Sequence, residues 1–290
     1  MEMRKIETVL TPENFNWVGN AFYTTSFIGK TISRKRMDPF FAVGYNADIE
    51  FESSEIPRGV GAHPHKGFET VTIAYKGKIE HKDSRGNHGV IGEGDVQWMT
   101  AGSGILHQEY HEKEFSRQGG TFQMVQMWVN LSAKDKETTP KYQDLQMREM
   151  TKVTLENNAG AVYVIAGSYR GQLGKGTTFS PIELYNTHIS KGGVAEFTLP
   201  ADFNTAVLII EGEVKVNGGS VIAKDSFVMF ENNGGETFSL EALKENTIVL
   251  VMSGKPLNEP IAHYGPFVMN TEAQLAKAFQ DFREGKFGVL

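Results

Sequence analysis

Two short segments concentrate the side chains able to hold a metal ion. His63-Pro64-His65 and His107-Gln108-Glu109 each place two donors at i and i+2, on one face of an extended strand. Pro64 restricts His63 to extended backbone conformations, so the first pair carries its own strand geometry. Imidazoles with one carboxylate suit a borderline divalent metal such as iron, manganese, nickel, zinc or copper. Two ligand pairs brought to one interior by separate strands leave coordination positions open, and an open position separates a working centre from a structural one.

A lone His-x-His is more often a pair of packed or exposed histidines. The second pair, the turn Gly102-Ser103-Gly104 before it, and Gly61 and Gly67 around the first pair favour the metal. Glu109 is the expected acidic ligand, and Glu69, four residues after His65, is its rival. His111, at i+4 from His107, is expected beside the centre or at its rim rather than on the metal. His81, His88, His188 and His263 stand apart and read as ordinary surface or hydrogen-bonded histidines.

Short strands punctuated by glycine must position these groups. Thr70 to Tyr75 alternates, turns at Lys76-Gly77 and resumes at Lys78, which reads as a hairpin. Phe122 to Val129 is a strand apolar on both faces, as expected of a barrel wall packed from outside. Trp98, Met99, Phe122, Met124 and Trp128 are expected in the barrel core, some of them lining an apolar pocket that would suit a flat aromatic ligand. Helical periodicity is scarce. Near the C-terminus Thr271 and Gln274 can form a capping box, with Leu275, Phe279 and Phe282 on one face.

The two halves resemble each other weakly. Ile73 to Glu80, centred on Gly77, has a counterpart in Leu208 to Lys215, centred on Gly212. Each is followed by an Asp, Asp95 or Asp225, that opens a further apolar strand. Residues 132–141 are polar, charged and interrupted by Pro140, and read as a linker. The expected organisation is an N-terminal β-domain with the metal site, 1–132, and a C-terminal one without it, 133–290. Counting back from Gly212 puts Thr198 and Pro200 where His63 and His65 stand, so one metal per chain is expected.

Composition narrows the classes. The 290 residues suffice for two cores, and a hydrophobic content of 40% belongs to a globular chain. A net charge of -6 argues against direct binding to nucleic acid. The one basic cluster, Lys30, Arg34, Lys35 and Arg36, reads as a solvated strand edge. With no cysteine, disulfides, zinc ribbons and thiol chemistry are excluded. No apolar run resembles a signal peptide or a membrane span, so a soluble cytoplasmic protein is expected.

His63-Pro-His-Lys-Gly-Phe-Glu-Thr-Val-Thr72, with Gly94 to Glu109, resembles the pirin family of two-barrel cupins. Asp38-Pro39-Phe40, Gln126 to Leu131 and Gly254 to Thr271 resemble pirin segments too, so the likeness spans nearly the whole chain. It is weakest from Asn157 to Asn246. The resemblance implies an all-β fold of two tandem cupin (jelly-roll) barrels, here with a short C-terminal helix. It implies one metal, iron above other divalent ions, held by His63, His65, His107 and Glu109. The general cupin motif keeps Glu69 as the rival carboxylate. It further implies quercetin 2,3-dioxygenase activity, with O2 opening a flavonol ring and carbon monoxide released. Glu109 would accept the flavonol proton. A second reading, also implied by the family, is a non-enzymatic, iron-dependent redox sensor acting through a protein partner. A metal-stabilised storage protein is a third, and it predicts a closed site.

Overall fold

A computed structural model of the chain describes residues 2–29, 31–232 and 234–290. Met1 and Lys30, the latter part of the basic cluster, lie outside the described residues. The architecture is all-β, with two short helices, Lys113–Gln118 and Glu272–Arg283. Contacts divide the chain into two compact units.

The unit holding His63 and His107 comprises Asn14–Lys35, Phe40–Met147 and Leu257–Leu290. It is built from a seven-stranded and a four-stranded antiparallel sheet. In the smaller sheet the order is Gly59–His65, Ile105–His111, Ile79–Asp83, His88–Ile91. The larger is centred on Phe68–Lys76, Gly120–Asn130 and Phe40–Phe51. The chain alternates between the two sheets, which is the jelly-roll path.

Gly77 is one of the corners at which it crosses. The strands before and after it belong to different sheets and do not pair, so the expected hairpin is a corner instead. Its φ of 77° falls in the left-handed region open to glycine. A Cβ there would also meet the Phe115 and Phe122 rings at 2.8 Å. Strand propensity and a turn glycine are common to a hairpin and a corner; only long-range pairing separates them.

The other unit comprises Met1–Glu13, Arg36–Pro39 and Arg148–Pro256. Its four-stranded sheet runs Val194–Thr198, Thr237–Ala242, Glu213–Val216, Ser220–Ala223, the same permutation as in the first unit. Gly212 repeats the corner at φ 82°. The interior is a continuous apolar cluster including Phe197, Val207, Val216, Phe230, Phe238 and Leu240.

These units do not follow a single cut after residue 132. Strand Ile6–Leu10 pairs with Phe227–Phe230, which binds the N-terminus to the unit of the C-terminal half. Strand Lys141–Leu145 pairs with Val96–Thr100, and the last 34 residues, Leu257–Leu290, return to the first unit. The segment read as a linker is packed rather than loose. Lys136 is buried, with Nζ donating to the carbonyls of Gly67 and Val268 and to Asn130 Oδ1 at 2.7–2.9 Å. Polarity misled here because the buried ammonium is fully engaged.

The C-terminal helix bears out its sequence signals. Thr271 and Gln274 form the capping box, Leu275 is buried, and Phe279 packs on Phe267 with centroids 4.7 Å apart. The basic cluster is dispersed: Arg34 lies over the Phe41 ring at 4.7 Å, while Arg36 pairs with Glu7.

Candidate metal centre

The site grows from one strand pair. In Ile105–His111 every second residue is buried, so Ile105, His107, Glu109 and His111 face inward while Leu106, Gln108 and Tyr110 do not. Its neighbour Gly59–His65 sets His63 directly opposite His107 and His65 opposite Ile105. On the other side, Ile79–Asp83 sets His81 opposite Glu109 and Asp83 opposite His107. His107 therefore lies between two strands that each deliver a histidine toward it.

His63, His65 and His107 bring one ring nitrogen each within 4.8 Å of one another. Nδ1 of His63 lies 2.9 Å from the Gly61 carbonyl. A carbonyl only accepts, so Nδ1 carries the proton and Nε2 is the free donor atom. His65 Nδ1 and His107 Nε2 are buried without a hydrogen-bond partner. Burial, with the nearby His63, pushes the His65 pKa down to about 3. Burial, followed by the charges of His65 and His63, holds His107 well below its usual value. Both rings are neutral at physiological pH, the state in which imidazole binds metal.

Glu109 belongs to a second set, with His107 and His81, also within 4.8 Å. Gln126 Nε2 donates to both of its carboxylate oxygens at 3.0 Å and to Thr72 Oγ1 at 3.1 Å. Glu69, the rival, joins neither set. It accepts from Thr100 Oγ1 at 2.7 Å, and burial raises its pKa to about 7. Its strand offset explains the separation: Thr70 and Thr72 pair with Trp128 and Gln126, which line the site, so Glu69 faces the other way.

His111 is buried among the rings of Phe51, Phe115 and Phe122, with centroids 4.6–5.2 Å away, and belongs to neither ligand set. Its role is packing. His81, read from sequence as ordinary, is buried against His107. Its isolation along the chain hid a neighbour 26 residues away. Gln126 was hidden too, inside a strand that reads as apolar on both faces.

His63 and His65 open onto a cavity of about 490 Å³, with His107 buried behind them. His63, His65, Glu109, Gln126, Met124 and Trp128 line it, with Pro266 contributed by the C-terminal segment. Trp128 meets the His65 ring edge-on at 5.2 Å and stacks on Phe68 at 4.3 Å. Trp98, Met99 and Phe122 are fully buried core, as expected. Among the described residues no helix is long and apolar enough to cross a membrane.

Two jelly-roll sheets pairs, one with a histidine cluster at the floor of an open pocket, define a two-barrel cupin. Residues 21–129 match the family model Pirin, and residues 184–288 match Pirin C-terminal cupin domain. The chain belongs to the pirin family. It is 40% identical over 285 residues to a Pseudomonas aeruginosa protein named "putative quercetin 2,3-dioxygenase", covering 98% of this chain and 99% of that one. A pirin-like protein of Solanum lycopersicum is 35% identical, covering 88% and 83%. Among solved structures, a quercetin 2,3-dioxygenase from Acinetobacter baumannii is 42% identical with a TM-score of 0.92, covering 99% of both chains.

Proposed function

We propose that His63, His65, His107 and Glu109 hold one divalent transition metal, and that the protein is a metal-dependent dioxygenase cleaving quercetin or a related flavonol with O2. Iron is the metal the family resemblance favours. The observation that carries the reading is the convergence of three imidazole nitrogens within 4.8 Å beside a largely apolar cavity.

The donor set fits a metal on chemical grounds. His65 Nδ1 and His107 Nε2 are buried and unpartnered, at a cost of ~1–3 kcal/mol each. A cation between the rings would satisfy both. Glu109 lines the same cavity as His63 and His65, which supports it over Glu69 as the carboxylate. When bound, a divalent metal supplies Lewis acidity that lowers the cost of a phenolate and orients it.

The rest of the chemistry falls to this chain. Glu109 accepts the proton of the flavonol hydroxyl. Gln126, donating to both carboxylate oxygens, holds that base in one orientation. Trp128 and Met124 offer apolar surface to a flat ring system and keep water from the reacting carbon atoms. A cavity of about 490 Å³ lies in the range occupied by small organic ligands.

The test is anaerobic purification and metal analysis, followed by oxygen uptake and carbon monoxide release on quercetin. About one metal per chain with stoichiometric gas exchange is the expected result. A fully loaded protein that consumes no oxygen would sink the enzymatic reading.

A further inference from the structure

Behind the three imidazoles lies a buried network that the proposed reaction does not use. His81 Nδ1 is 3.4 Å from His107 Nδ1. The other nitrogen of His81, Nε2, faces Asp83 Oδ2 at 3.6 Å, just beyond hydrogen-bond length. Asp83 is itself fixed, accepting from Arg85 N, Asn87 N and Asn87 Nδ2 at 2.9–3.1 Å. Tyr142 lies flat on the His81 ring, with centroids 5.2 Å apart and planes 14° from parallel. Gly89, the cross-strand partner of His81, makes room for it: a Cβ there would meet the Tyr142 hydroxyl at 2.2 Å. The His81 ring is therefore packed on its face, in contact with His107 at Nδ1, and turned toward a fixed carboxylate at Nε2.

Two tautomer chains are compatible with the contact between the histidines. In one, His107 donates from Nδ1, and His81 carries its proton on Nε2, facing the Asp83 carboxylate. In the other, both protons shift. His81 then turns a lone pair toward a carboxylate, and His107 carries an N–H at Nε2, where no acceptor is present. That arrangement sets negative charge against a lone pair and strands a buried donor. The first turns the His81 N–H toward the carboxylate, an electrostatic attraction across 3.6 Å, and frees the His107 Nε2 lone pair.

We propose that His81, oriented by Asp83, is a positioning residue that accepts from His107 Nδ1 and so presents the Nε2 lone pair of His107 to the metal site. Imidazole ligands commonly donate their second nitrogen to a carboxylate, a carbonyl or water. Here a second imidazole takes that place. The consequence for metal binding rests on His107 being a ligand, but the tautomer itself does not.

Long-range proton–nitrogen correlation spectra of the metal-stripped protein, labelled at histidine nitrogens, read the tautomers directly. The expected result is His107 protonated on Nδ1 and His81 on Nε2. His107 protonated on Nε2 overturns the proposal. Cobalt(II) is the second probe. His81→Phe keeps a ring against Tyr142 but removes the acceptor, and should weaken cobalt affinity ~10–100-fold and alter its visible spectrum. His81→Gln, whose amide oxygen can accept, should recover part of that loss. Should His81→Phe fail to fold, Asp83→Asn, with the His107 tautomer no longer uniform, makes the same test. Unchanged affinity and spectrum in His81→Phe overturns the proposal, as do two cobalt ions per chain with His81 ligating the second. If the wild-type protein binds no cobalt, the metal centre fails, while the tautomer spectra still decide this inference.

Discussion

The two barrels share one strand permutation and differ in what fills them. Registering each smaller sheet from its corner glycine aligns Ile79↔His111 with Val214↔Ala242, and His81↔Glu109 with Val216↔Leu240. His63 opposite His107 then corresponds to Phe197 opposite Phe238. The histidine pair has ring centroids 4.2 Å apart, and the phenylalanine pair stacks at 5.0 Å. Five polar positions in one barrel, His63, His81, His107, Glu109 and His111, are apolar in the other. The fold alone needs no imidazole there. A barrel filled with Phe, Val and Leu satisfies its packing completely. His63, His81, His107 and Glu109 are therefore retained at a cost in burial, which fits a site built for a ligand.

Making the first barrel resemble the second is the strongest way to break this contrast. His107→Phe installs the residue found at the matching position. It should leave metal content at background and abolish carbon monoxide release, while the thermal midpoint holds or rises. Metal analysis and calorimetry check it, and retained metal would remove His107 from the ligand set.

Glu109→Gln is expected next in size. The amide keeps an oxygen donor but cannot take up the flavonol proton, so turnover per bound metal should fall ~10²–10⁴-fold. Undiminished carbon monoxide release per metal would remove the proton-acceptor role.

In the second barrel the effect should be on stability alone. Leu240→Ala should cost ~2–5 kcal/mol in denaturant unfolding, with metal content unchanged. His188→Ala, in the same unit, should likewise leave metal content unchanged. Metal lost from either variant would show that the barrels are not chemically separate.

Glu69 offers a smaller, pH-dependent test. Its position eight residues before Gly77 matches Asn204, eight before Gly212, a neutral amide. Its folded pKa, about 7, lies above the unfolded value of ~4.3. Stability from the neutral acid is thus fully present below the unfolded pKa and is lost as pH rises toward 7. Glu69→Gln should remove this slope, so that the variant gains on wild type by at most ~4 kcal/mol above pH ~7. Unfolding curves between pH ~4 and ~8 check it. A slope that survives the substitution would assign it to another group.

Local chemistry was legible in the sequence itself. The i, i+2 spacing of His63-Pro64-His65 and of His107-Gln108-Glu109 put both pairs on inward faces, because strand alternation is set by the backbone itself. The capping box at Thr271 and the paired corner glycines are equally local. What the chain order hid was register and partnership. Counting back from Gly212 reached Thr198 and Pro200, but strand pairing puts Phe197 opposite Phe238, and Leu199 two residues on. A slip of one residue exchanges the faces of a strand, and the length of an intervening turn is not written in either glycine.

His81 and Gln126 carry no motif of their own. They join the site because antiparallel pairing sets His81 across from Glu109 and Gln126 across from Thr72. The N-terminal strand and the C-terminal segment likewise find their units through pairing with distant residues. The sequence by itself determined which donors exist and which way each strand turns them, since those follow from residue type and a period of two. Only the tertiary structure decided which strands meet, and with them the partners of His107, because hydrogen-bonded registry between distant segments is a property of the packed whole.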